Sequence, residues 1–289
     1  MAYIMSEAPL SRDMDAYDEL LEILKDIDLM SQVRSLLGWD QEVMMPPKAA
    51  TLRGEQLAWI SRESHKRKTS SRIGELLDEL EENGELNEIE RANVRLAREA
   101  YVKATKLPTE FVSEMARHNS KAVISWTEAR EKNDFSIFRD DLAKSIDFAR
   151  KKADYLGYET LRYDALLDIY ESGLTVARLD PLFDGLRNEV APLIKSVAGR
   201  GAGPDMSWIT DNSWSREGQE RLSQKVSEAI GFEFDSGRRD ASTHPFCGGP
   251  NPDDVRWTTR YNDSDPFGSL YGSMHETGHG TYEQGRPRD

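Results

Sequence analysis

The chain has 289 residues, with 38 Lys and Arg against 52 Asp and Glu, for a formal charge of −14. Its 38% apolar content, with 6 Trp, 9 Phe and 10 Tyr, excludes a disordered polypeptide, and the length suits one large domain or two smaller ones. The acidic balance excludes a phosphate-reading nucleic-acid surface, no apolar run approaches the ~20 residues of a membrane span, and the lone Cys247 excludes an internal disulfide or a multi-cysteine zinc site.

The first residues, MAYIMSEAPLSRDMD, lack a basic start and an apolar run, so no secretory leader and a cytoplasmic location are expected. Helical spacing then begins with Tyr17, Leu20, Leu21, Leu24 and Ile27. A second stripe is Leu86, Ile89, Leu96 and Ala100. Phe111, Met115, His118, Ala122, Trp126 and Ala129 define a third helix, with Pro108 where helices start. Phe138, Leu142, Ile146, Ala149, Ala153 and Leu156 define a fourth, capped by Gly157. AGRGAGPD, from Ala198 to Asp205, is a loop that separates a helical part (1–200) from a second part (201–289). CGGPNPDD is turn-rich, and DVRWTTRY then alternates strictly. Val255, Trp257, Thr259 and Tyr261 share one strand face; Asp254, Arg256, Thr258 and Arg260 share the other, as they also would on an ordinary surface strand.

The segment DPFGSLYGSMHETGHGTYEQG contains His-Glu-x-x-His at His275, Glu276 and His279. Asp265 is its expected N-cap, Pro266 its first helical residue, and Phe267, Leu270 and Met274 its core side. Imidazoles one turn apart leave the same side of a helix about 5–6 Å apart, so they can converge on one ion. Neutral imidazole suits Zn²⁺. Glu276 is rotated about 100° from His275, which places a carboxylate beside the metal, where it can take a proton from water in metal-assisted peptide hydrolysis. Gly272, Gly278 and Gly280 cost helix stability, about 1 kcal/mol each, and imply close approach by a backbone or substrate. Glu283, two turns beyond His275 and ~12 Å along the axis, is too far to share its ion.

Four ordered blocks accompany this motif. LLGWDQEVMMPPKAATLRGEQLAWIS (Leu36 to Ser61) and YDALLDIYESGLT (Tyr163 to Thr175) are similar to signatures of the M32 metallocarboxypeptidases, the thermostable-carboxypeptidase type. His244, Pro245 and Phe246 match the family's HPF motif, and Asp254, Arg256 and Thr258 its DxRxT motif. The resemblance implies a mainly α fold, a helical zincin-type cleft with a small antiparallel β-sheet beside the metal-binding helix. It also implies a homodimer that removes single residues from peptide C-termini with Zn²⁺ or Co²⁺. By the same resemblance, His275 and His279 are metal ligands, Glu276 is the general base, and His244, Asp254, Arg256 and Thr258 bind substrate. The family usually reads HEGGHALYEQ, where this chain has Thr277, Gly280 and Thr281 at the variable places. The family's third ligand, a Glu on a later helix, and its downstream Arg and His motifs are not present in this sequence. The chain is therefore expected to be the N-terminal part of a longer enzyme, with some apolar helix faces uncovered and weak metal binding on its own.

Other residues carry blander expectations. His118 is read as a hydrogen-bonded core histidine, and His65, in SRESHKRKTSSR, as solvated. Cys247 is read as a small structural residue and Trp39, Trp59 and Trp126 as core packing. Arg256 is either a clamp for a substrate carboxylate or a partner of Asp254. Against the carboxypeptidase stand a catalytically silent helical or dimerisation scaffold and an endo- or aminopeptidase.

Overall fold

The computed structural model describes residues 15–288 apart from 202 and 204; the leader reading falls largely outside them. Helix α1 (Ala16–Val43) starts where the Asp15 carboxylate accepts from the amides of Tyr17 and Asp18. Helices α2 (Ala50–Lys68), α3 (Ser71–Glu82) and α4 (Glu88–Thr105) follow, the last closed by a reciprocal cap between Asn87 and Glu90. Helix α5 (Thr109–Lys132) begins after Pro108 and stops at Asn133, whose φ of 49° is left-handed. Helix α6 (Ser136–Leu156) ends at Gly157 (φ 81°), where an L side chain would be strained. Then come the short α7 (Asp164–Leu167), α8 (Val176–Ala198) and the short α9 (Ser207–Thr210). Helix α10 (Arg216–Ile230) precedes strands β1 (Gly237–Ala241), β2 (Cys247–Gly248) and β3 (Val255–Thr259), and α11 (Pro266–Gln284) follows them. Among the described residues no helix is long and apolar enough to cross a membrane.

Leu20, Ile27, Ile73, Leu76, Leu77, Leu80, Leu86 and Val94 form the core joining α1, α3 and α4. Helix α5 lies between α2 and α6 and buries Phe111, His118, Ala122 and Ala129 of its expected stripe. One stripe is rotated from its expected position, and another departs from it at a single residue. In α4, Ile89 and Leu96 are exposed, while Val94 is buried with Ala97 and Tyr101 packed beside it. In α6, Ala153 and Leu156 are buried as expected, but Ile146 is exposed, and Phe148, off the stripe, is buried in tilted ring contact with Phe111 and His118. Helix α8 buries none of its residues, so Leu182, Phe183, Leu186, Leu193, Ile194 and Val197 lie open.

The sheet is mixed, a correction to the antiparallel expectation: its order is β1-β3-β2, with β1 parallel and β2 antiparallel to β3. The chain reverses once between β1 and β2 and again through the CGGPNPDD turn. Two reversals return β3 in the direction of β1, and β3 takes the central place. Val255 and Trp257, fully buried, pack with Phe232 beneath α11.

His65 is buried rather than solvated. Its Nε2 lies 3.1 Å from the Ala104 carbonyl, which it serves as donor, and its Nδ1 lies 3.0 Å from the Thr109 hydroxyl. Lys66 and Arg67 of that basic run face outward, while His65 falls on the side of α2 that meets α4 and α5. Burial pushes its imidazole below the usual value. His118 is the core histidine expected, its Nε2 at 3.1 Å from the Asp141 carbonyl. Trp59 is exposed, against expectation; Trp39 is buried and Trp126 half-buried.

Candidate active site

Helix α11 carries the histidine pair. Asp265 caps it by accepting from the Gly268 amide, and Pro266 is its first residue, as expected. Its buried face differs from the expected Phe267, Leu270 and Met274. Instead Ser269, Ser273, Glu276, Thr277, Gly280 and Gln284 turn inward, and Met274 is exposed. The reason is the partner surface. Ser273 donates to Ser223 at 2.9 Å, Ser269 donates to Gln219 at 2.8 Å, and the Thr277 and Ser227 hydroxyls share a bond at 2.7 Å. A hydroxyl ladder thus joins α10 to α11, and small residues let the helices approach closely. The signal was present as Gln219-Ser223-Ser227 and Ser269-Ser273-Thr277, two runs spaced by four.

The glycines divide by role. A Cβ on Gly280 would stand 2.7 Å and 2.9 Å from two atoms of the Phe232 ring, whereas a Cβ on Gly278 meets nothing within 4 Å. Gly278→Ala is therefore expected to stabilise the chain by about 0.5–1 kcal/mol through helix propensity. Gly280→Ala carries the same gain against an overpacking cost of about 1–3 kcal/mol, a net loss of up to about 2. Chemical denaturation of the two variants reads the opposite signs; equal shifts would contradict the close packing.

On the outer side of α11, His275 and His279 converge. Their Nε2 atoms are 3.3 Å apart and their rings meet edge-on with centroids 4.9 Å apart. Two nitrogens bound to one tetrahedral Zn²⁺ at about 2.0–2.1 Å stand about 3.3–3.4 Å apart, so the pair fits a shared ion. Among the described residues no third His, Cys, Asp or Glu side chain joins them in a cluster. Glu276 sits beside the pair, only 6% exposed. Burial holds its carboxyl above the ordinary carboxylate range, while the nearby His275, His279 and His244 pull the other way.

The sheet supplies the opposite wall. His244 lies exposed on the loop between β1 and β2, edge-on to Trp126 of α5 at 6.3 Å. Thr258 corrects the expectation that it lines the groove: it is fully buried, and its hydroxyl shares a 2.6 Å bond with Ser242 and accepts from the Phe246 amide at 3.0 Å. It holds the loop that carries His244. Asp254 and Arg256 occupy each other in a two-pronged pair, at 2.7 and 2.9 Å. Of the two readings of Arg256, the structure shows the pairing with Asp254.

Trp39 is a residue the sequence reading placed only as packing. Arg256 and Arg238 both stack on its ring, at 4.2 and 4.8 Å from the centroid. It thereby ties α1 to the sheet, and Arg53 braces the same turn by donating to Asp40 and to the Leu37 carbonyl, both at 2.6 Å. Cys247 faces Trp257 across the strand pair, where burial, with Glu276 and Glu283 nearby, pushes its thiol up to about 12.

The sequence profile of the carboxypeptidase Taq (M32) metallopeptidases matches residues 19–289. Carboxypeptidase 1 of Bacillus subtilis is 38% identical over 267 residues, covering 92% of this chain and 53% of that protein. Thermostable carboxypeptidase 1 of Thermus thermophilus is 34% identical over 287 residues, covering 95% and 56%. The BsuCP crystal structure superposes with a TM-score of 0.92 at 36% identity, over 95% of this chain and 55% of that one. The chain spans about half the length of the curated relatives it matches. With its paired imidazoles, flanking carboxylate and helical frame, the chain belongs to the carboxypeptidase Taq (M32) family of metallopeptidases.

Proposed function

We propose that the protein acts as a zinc-dependent carboxypeptidase, with Co²⁺ as an alternative metal, and that it releases single residues from peptide C-termini. The observation that carries this reading is the 3.3 Å approach of the His275 and His279 Nε2 atoms beside the buried Glu276. His275 and His279 hold the metal, with a third ligand from outside the described residues. A divalent ion there supplies Lewis acidity, polarising a peptide carbonyl and making water nucleophilic at neutral pH. Glu276 takes the proton from the attacking water and returns it to the departing amine. His244, on the facing loop, contacts the substrate. Asp254, Arg256 and Thr258 act at one remove, fixing the strand and the loop. In a second reading, favoured by the absence of a third clustered donor among the described residues, the chain is a silent scaffold.

The test is mass spectrometry of an unblocked peptide incubated with the protein and excess Zn²⁺. Stepwise loss from the C-terminus, stopped by a chelator and by C-terminal amidation, is expected. A ladder from the N-terminus or internal cleavage would overturn the carboxypeptidase reading, and no cleavage at saturating zinc would favour the scaffold.

A further inference from the structure

Helices α1 and α2 turn polar stripes toward one another where a bundle ordinarily buries hydrocarbon. On α1 the inward positions are Ser31, Arg34, Ser35, Gly38, Gln41 and Glu42, spaced by three and four. On α2 they run through Ser61, Ser64, His65 and Lys68. Helix α5 adds Asn119 and Ser120 among the apolar Val112, Met115, Ala116 and Val123, and α6 adds Lys152. They line an open cavity of about 640 Å³, with Arg34 and Lys68 exposed at its rim and Lys152 half-buried. A second chamber of about 510 Å³, mostly apolar, adjoins it, and Lys68 and Lys152 line both.

Three features make this cavity more than a packing defect. Arg34, Lys68 and Lys152 form no ion pair or hydrogen bond among the described residues, although many other Lys and Arg side chains of this acidic chain are paired. Partial burial pushes the Lys68 and Lys152 ammonium groups below their usual value, with Arg34 adding to the effect at Lys68 and Asp28 opposing it. An arriving anion would relieve that penalty. The cavity also adjoins the candidate active site: Gly38 and Glu42 line it while Trp39, between them, stacks on Arg256. Val123 lines it while Trp126, one turn on, meets His244.

We propose that this cavity is a subsite for an acidic peptide segment, whose carboxylates are held by Arg34, Lys68 and Lys152. The inference rests on the carboxypeptidase reading for which end of the peptide lies at Glu276. From Glu42 back to Arg34 is eight helical residues, about 12 Å along α1, or about four residues of extended peptide. The preferred acidic residue therefore lies about four positions upstream of the residue at Glu42. Ser31, Ser35, Ser61 and Ser64 supply hydroxyl donors around it, and the adjoining chamber takes apolar residues further upstream.

The test is a binding measurement that needs no turnover. Fluorescence anisotropy compares a labelled alanine octapeptide bearing Glu at its fourth and fifth positions from the C-terminus with its Gln counterpart, at low salt and with no metal added. The Glu peptide is expected to bind about tenfold more tightly, and Lys68→Gln with Lys152→Gln to erase that preference. Lys152→Glu is expected to shift preference to a Lys-bearing peptide, and its folding is checked by circular dichroism. Equal binding of the Glu and Gln peptides, or a preference surviving in the double variant, overturns the subsite. Displacement of the Glu peptide by inorganic phosphate at equal affinity also overturns it, since a bare anion would then suffice. Because binding is read without hydrolysis, failure here is distinguishable from failure of the metal site.

Discussion

Glu276→Gln is expected to lower the rate of C-terminal residue release by about 10²–10⁴-fold while leaving metal content unchanged, because a positioned general base contributes on that scale. Glutamine has the size and helix propensity of glutamate, so the buried flank of α11 stays packed. It cannot accept the proton of the attacking water. Its neighbours make the position sensitive: the side chain is 6% exposed and none of the described residues hydrogen-bonds its carboxyl. Burial raises the proton affinity of that carboxyl above that of an exposed one, which suits a group that must take and return a proton near neutral pH. Turnover of a labelled dipeptide and metal analysis of the same preparation measure both parts. A near-normal rate would remove Glu276 from the chemistry. Loss of metal together with rate would make it a structural support for the histidines.

The histidine motif was legible because its chemistry depends on local geometry alone. A spacing of four on a helix fixes where two side chains point, and the structure places the two nitrogens within 3.3 Å. Caps were legible for the same reason, as at Asp265, Pro266 and Gly157. What failed needed knowledge of the partner surface. The inner face of α11 was assigned to Phe267, Leu270 and Met274 by hydrophobicity, but it packs against the serines of α10, where hydroxyl pairing wins. The burial of His65 depends on α4 and α5 crossing the end of α2, which no window of sequence reveals. Thr258 shows the same limit. Strand alternation placed it on a polar face, and only the fold shows that the 242–246 loop covers that face. The direction of β1 in the sheet likewise follows from chain reversals between strands, not from any strand's own pattern.

His275→Ala and His279→Ala are each expected to weaken Zn²⁺ binding by at least about 100-fold, the upper end of what loss of a mere supporting group around a metal costs. Both side chains lie on the exposed side of α11, so stability without metal is expected to change within about 0.5 kcal/mol. That separation is the point of the experiment. Among the described residues no third donor joins the two imidazoles, so wild-type affinity rests on two ligands and is best measured by titration. Zinc should raise the melting temperature of the wild-type chain by preferential binding to the folded state and fail to do so for either variant. The stabilisation should also fade on acidification, since imidazole binds metal only in its neutral form. Glu276→Gln supplies the contrast: it keeps both nitrogens and should retain the full zinc-induced shift. If an alanine variant binds zinc as the wild type does, the ion sits elsewhere and the 3.3 Å approach of the rings is ordinary packing between neighbours on one helix.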